Sequence, residues 1–176
     1  MSSPEAIKKL PVQIVDDNDE IIEHKDRSEI VLSDIYRVSA LWLTNSKGEI
    51  LIAQRKLTKA HDPGKWGPAA AGTLEEGDTY ESNAKKEAEE EIGLTGVEFQ
   101  LGPKVARRIP ESKWNYFGQW YTAVADKDIH EFVLQDDEVE AVRWISPEDL
   151  VKEWEQAPEK FVPSLGTAID AFILNK

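Results

Sequence analysis

The sequence predicts an α/β fold, a mixed β-sheet covered by helices on both faces. Three observations carry this prediction. Strand-like and helix-like runs alternate along the chain, the most sharply delimited helix lies in the middle between strands, and two further helical patterns close the C-terminus. With 176 residues, 40% of them hydrophobic, one core is expected to suffice.

Taken in order, Pro11 to Ile22 (PVQIVDDNDEII) sets two short apolar runs around an acidic turn, the pattern of a β-hairpin. His24 to Ser33 is charged and reads as a connector. Tyr36 to Leu43 and Glu49 to Gln54 read as strands joined by the turn Asn45-Ser46-Lys47-Gly48. His61 to Ala71 holds Pro63, Gly64, Gly67 and Pro68 and reads as a loop leading to a short strand. Beyond the central helix, Val97 to Ile109 and Tyr116 to Ala125 read as strands, with Pro110 to Asn115 a loop between them, and Glu138 to Ile145 as another strand. Ser146 caps a helix with Pro147 at its first position, running to about Gln156, and Ser164 to Leu174 has amphipathic helical spacing.

The central helix carries the chemistry. Gly72 to Leu94 reads GTLEEGDTYESNAKKEAEEEIGL. Asp78 with Glu81 suggests a capping box, and Gly93 can take the left-handed conformation that ends a helix. A helix turns about 100° per residue, so Glu87, Glu90 and Glu91 share a face within an arc of about 100°. Ala84, Ala88 and Ile92 form the neighbouring stripe that packs inward, while Glu89 points to water. Left alone, each like-charge pair on the acidic face costs about 0.2–0.5 kcal/mol, and anions near the helix C-terminus oppose its dipole. Lysine pairs (Glu81 with Lys85, Lys85 with Glu89, Lys86 with Glu90) offset part of this. A divalent cation is the other solution, and Mg²⁺ takes a few carboxylates together with water and phosphate oxygens.

The order of residues around this helix resembles the signature of the Nudix family, hydrolases of nucleoside diphosphates linked to another moiety. Gly72, Glu87, Glu90, Glu91, Gly93 and Leu94 fit that pattern in register. Three positions depart from it: Asp78 stands where the family has Glu, Lys86 where it has Arg, and Ala88 where it has a bulkier aliphatic. Asp78 keeps a carboxylate one methylene shorter, and Lys86 keeps the charge without the planar fork of Arg. The resemblance implies a Nudix-like α/β/α sandwich over residues 35–176, preceded by an N-terminal extension with a β-hairpin over residues 1–34. That leading segment and the stretch DPGKWGPAAAG are similar to the branch related to isopentenyl diphosphate isomerase.

The resemblance opens two reaction classes. The isomerase needs a Cys before the box Gly, a His after it and a later Glu pair, and this chain has Ala71, Thr73 and NYFGQWYTAV there. Isomerisation thus lacks a proton donor. Hydrolysis of a diphosphate fits better, with Glu87, Glu90 and Glu91 as catalytic and metal-binding residues. Glu90 and Glu91 are first-choice ligands, and Glu87 is either a third ligand or the group that orients and deprotonates water. The implied cofactor is Mg²⁺, with Mn²⁺ as an alternative, and a carbonyl from Ala71 or Gly72 would join the ligands. Asp136, Asp137, Glu138 and Glu140 are candidates for a further carboxylate. A third reading, a non-catalytic ligand-binding Nudix domain, is kept open by Asp78 and Lys86.

Substrate contacts are expected from Arg55 and Lys56, which could hold phosphates, and from Trp66, Trp114, Tyr116 and Phe117, which could stack on a base. Trp42, Trp120, Trp144 and Trp154 read as packing residues, and His24, His61 and His130 as surface residues. The expected partner is a small-molecule diphosphate. The net charge of −13 argues against long nucleic acids, and with no cysteine no zinc-thiolate site or thiol nucleophile can form. Nothing resembles a signal peptide or membrane span, so a cytoplasmic location is expected. The oligomeric state is left open, a homodimer among the options.

Overall fold

A computed structural model of the chain describes residues 9–175, so the first eight residues of the expected N-terminal extension lie outside it. Strand β1 (Val12–Val15) pairs antiparallel with β2 (Ile21–Lys25), giving the expected hairpin. Its second strand reaches into the segment read as a connector. As the terminal strand of the sheet, β2 leaves Ile21 to His24 exposed, which explains why its sequence lacks an apolar alternation.

Strand β3 (Ile35–Thr44) organises the sheet. It runs parallel to β8 (Tyr116–Val124), which is flanked in turn by antiparallel β7 (Gln100–Arg107). It also pairs antiparallel with β6 (Ala70–Thr73) and with β1. Strand β4 (Ile50–Arg55) meets β3 only at Thr44 and carries a second wing, β5 (Trp66–Gly67) and β9 (Val139–Ile145). One parallel pairing among antiparallel ones makes the sheet mixed, as predicted.

Alternation along β3 and β4 divides the core in two. Leu41, Leu43, Leu51 and Ala53 face helix α1 (Tyr80–Ile92), which contributes Ala84, Ala88 and Ile92. Ala40, Trp42, Ile50 and Ile52 face the other way, against Leu150 of α2 (Pro147–Gln156) and Leu165, Ala168 and Ile169 of α3 (Pro163–Ile169), which continues as a wider π turn to Leu174. Each fully buried Leu or Ile contributes about 1.5–3 kcal/mol, so the two layers together hold the helices to the sheet. The result is an α/β/α sandwich.

Helix α1 begins later than the sequence suggests. Thr79, not Asp78, is its N-cap: the Thr79 hydroxyl accepts from the Ser82 amide at 3.1 Å, and the Ser82 hydroxyl accepts from the Thr79 amide at 2.9 Å. Asp78 is engaged elsewhere, accepting from the Glu75 amide at 2.9 Å and from the Lys86 ammonium at 2.8 Å. Lys85 pairs with Glu81 at 2.5 Å, while the expected Lys86–Glu90 pair is replaced by Lys86–Asp78. The C-terminus closes as predicted, with Gly93 at φ 65° and ψ 27°.

The hairpin is locked to this frame by charge. Asp19, at φ 64° in the β1–β2 turn, accepts from Arg37 Nε at 2.7 Å, from the Tyr80 hydroxyl at 3.0 Å and from Lys104. Gln13, buried, donates to the carbonyls of Glu75 at 2.7 Å and Asp78 at 2.8 Å. The N-terminal strand thereby holds the loop that leads into α1.

Candidate active site

Helix α1 lies along β6 at a distance set by small residues. Gly72 has no side chain, and a methyl group there would overlap the Glu87 carboxyl. Asn83 is fully buried and donates to the Ser39 hydroxyl at 2.7 Å and to the Gly72 carbonyl at 3.0 Å, pinning the helix to both strands. One and two turns further on, Glu87 and Glu91 face the same strand. Glu91 Oε2 accepts from the Ala71 amide at 3.2 Å.

Both carboxyls are costly as anions in this setting. Loss of solvent, then the neighbouring Glu90 charge, pushes Glu87 up to about 7. Loss of solvent, then the charge of Glu87, pushes Glu91 up to about 8, and the Ala71 amide and Arg55 offset only part of this. Among the described residues neither glutamate makes an ion pair. Glu90, on the same face, is exposed.

The expected divalent cation can be tested against these donors. Hard carboxylate oxygens with no ion pair among the described residues are what Mg²⁺ or Mn²⁺ takes, and the Ala71–Gly72 backbone lies beside them, so the donor chemistry fits. Among the described residues, however, no group of three or more Asp, Glu or His side chains is already gathered at ligand spacing. A third oxygen would come from the backbone, from water or from substrate.

Glu91 opens onto a cleft of about 730 Å³. Glu138 also lines it and is held by Lys59 at 2.5 Å, so of the four acids preceding or opening β9 this one reaches the cleft. Asp136 and Asp137 are exposed, and Asp136 and Glu140 flank Lys56 at 3.8 and 3.3 Å. Arg55 lines the cleft, its Nε donating to the His61 carbonyl at 3.0 Å. Lys56 points to the acids of β9, and Trp66 packs against the α2–α3 layer with the Arg143 guanidinium 4.6 Å from its ring centre, so neither lines the cleft. Trp114 and Tyr116 do line it. Trp114 meets His61 edge-on at 4.5 Å, bringing the β7–β8 and β4–β5 loops together over the opening.

Sequence reasoning missed Lys59 and Arg107, which also line the cleft. Lys59 follows Arg55 and Lys56 in the basic run RKLTK, a signal that was present, whereas Arg107 is placed only by the register of β7 against β8.

Residues 35–165 match the NUDIX domain family. A Nudix hydrolase of Yersinia pestis is 29% identical over 140 residues, covering 79% of this chain and 74% of its own, and one of Pseudomonas aeruginosa is 29% identical over 145 residues, covering 82% and 83%. A protein of Deinococcus radiodurans superposes with a TM-score of 0.77 at 20% identity, covering 92% of this chain and 98% of its own. The NUDIX domain of Shewanella oneidensis NrtR, in complex with ADP ribose, does so with 0.57 at 16% identity, covering 72% and 85%.

Proposed function

The chain belongs to the Nudix family, hydrolases of phosphoric anhydrides, and on that premise we propose that it cleaves the diphosphate linkage of a small nucleoside-diphosphate-like compound with Mg²⁺ as cofactor. The observation that carries this reading is the pair Glu87 and Glu91 on the helix face against β6, two desolvated carboxyls with no ion pair among the described residues, the second of which opens onto a cleft sized for a nucleotide.

Glu87 and Glu91 would hold the cation, with the exposed Glu90 reaching it from the same helix face and a carbonyl of Ala71 or Gly72 beside them. Bound there, Mg²⁺ supplies charge neutralisation for the phosphoryl oxygens and lowers the pKa of a bound water. Arg55, which also lines the cleft, holds a phosphate oxygen of the substrate. Glu138, oriented by Lys59, takes the proton of the attacking water, the role for which its place in the cleft suits it. Trp114 covers the non-phosphate part of the substrate. Lys56 and Trp66 support the wall, Lys56 through the acids of β9 and Trp66 beneath Arg143.

Incubation with ADP-ribose, nucleoside di- and triphosphates and other diphosphates, with and without Mg²⁺, tests the reading. ADP-ribose belongs in the panel because a domain of the same fold binds it. Metal-dependent release of monophosphate products is expected. Saturable binding with no turnover of any compound would instead make the chain a ligand-binding domain.

A further inference from the structure

Three rows of paired residues form the floor of the cleft. Ala71, Ala40 and Trp120 lie side by side across β6, β3 and β8, next to Glu91. One two-residue step along the strands, Val38, Gly118 and Val105 form a second, apolar row, and the Tyr116 ring and Val105 lean in over Gly118, 3.2 and 3.3 Å from where a Cβ would stand. One step further come Tyr36, Tyr116 and Arg107. Each step is about 6.6 Å and each strand spacing about 4.8 Å, so the backbone of Arg107 stands about 13 Å along the strands and about 14 Å across them from Ala71, which bonds Glu91, about 19 Å in all. Part of that span is taken by the long Arg107 side chain and part by a diphosphate gripped at Glu91, which leaves the space of a nucleoside between them.

Charged groups gather at both ends of this floor. Glu91 and Glu138 sit at one end together with Arg55 and Lys59, while Arg27, Arg107 and Arg108 line the other. Arg27 is tied to Glu75 at 3.2 Å, and Arg108 lies over the Phe117 ring at 4.4 Å. Arg107 rests above Tyr116, 5.9 Å from the ring centre, and among the described residues has no acidic partner, in a chain with a net charge of −13. A guanidinium left without a carboxylate, half-buried at the end of a ligand cleft, is placed to take an anion in bidentate fashion.

We propose that Arg107, supported by Arg27, recognises a second anionic group on the substrate, a phosphate monoester separated from the cleaved diphosphate by a nucleoside-sized spacer. This deepens the reading of the cleft as a diphosphate hydrolase site and rests on it. The preferred substrates are diphosphates whose far end is phosphorylated.

Matched pairs differing by that phosphate test the proposal: ADP-ribose against its 2′-phosphate, NAD against NADP, and dephospho-coenzyme A against coenzyme A, each with Mg²⁺. At least one pair should show kcat/KM about tenfold or more in favour of the phosphorylated member, carried by KM, the effect of one charge-assisted contact. In Arg107→Ala that ratio should fall to about one, and Arg107→Lys should restore part of it. Calorimetric binding of adenosine 3′,5′-bisphosphate against AMP, in the absence of metal, reads the same contact without turnover. Hydrolysis with no preference in any pair, or a preference that survives Arg107→Ala, would overturn the subsite while leaving the hydrolase reading intact. Arg107-dependent bisphosphate binding without hydrolysis would support the subsite and sink the hydrolase reading; no such binding and no hydrolysis would sink both.

Discussion

At Glu87 and Glu91 the free energy of the fold and the chemistry of the site meet. Both carboxyls titrate higher in the folded chain than the ordinary value of 4.5. Between that value and about 8 the folded state therefore binds more protons than the unfolded one, so stability falls as pH rises through this window and levels off above it. Without divalent ions, the melting temperature is expected to be lower at about pH 8.5 than at about pH 6, and Glu91→Gln should flatten that slope. Mg²⁺ should raise the melting temperature most at the alkaline end, because its binding displaces no protons there. A melting temperature that rises with pH would contradict the assignment. In turnover, Glu91→Gln and Glu138→Gln should each lose about 10²- to 10⁴-fold in kcat, read with a diphosphate substrate at saturating Mg²⁺.

The helix that carries these acids was the most legible element of the sequence, and its limits show what spacing can settle. Spacing of three and four put Glu87, Glu90 and Glu91 on one face, and Gly93 marked the end. It did not separate Glu87 and Glu91, turned toward β6, from Glu90, left in water, because that depends on how closely Gly72 lets the strand approach. Nor did it find the start of the helix: Asp78 and Thr79 are both competent caps, and the choice falls to Thr79 because Glu75 and Lys86 occupy the aspartate. Two substitutions probe the element. Gly93→Ala places a side chain at φ 65° against Val133 and should cost about 1–2 kcal/mol in denaturant unfolding. Gly72→Ala should leave the fold but displace Glu87, lowering Mg²⁺ affinity more than stability; equal affinity would show that the close approach is not needed.

At the scale of the molecule, the strand and helix order and the mixed sheet were readable because a strand buried on both faces reads as a continuous apolar run, as in the second half of β3 and the first half of β4. The cleft was not readable, since its walls come from loops and strand ends far apart in sequence: Arg55 and Lys59, Glu91, Arg107 and Trp114, Glu138. The family pattern supplied the acids, but the basic end of the floor follows only from strand register. The hairpin is tied to the rest by Asp19, buried among Arg37, Tyr80 and Lys104. Asp19→Ala strands Arg37 and should cost about 3 kcal/mol while unfolding remains a single transition. A separate early transition of the hairpin would show that it folds independently.

The central claim is that Glu87 and Glu91 hold a divalent cation which in turn holds a diphosphate. It is tested most directly by calorimetric titration of Mg²⁺ into the protein with a non-cleavable methylene-diphosphonate analogue of ADP-ribose, near neutral pH. Saturable binding is expected that releases protons, seen as an enthalpy that varies with the buffer, and that is lost in Glu87→Gln/Glu91→Gln. Binding of the same strength in that double variant, or none in the native chain, would contradict it.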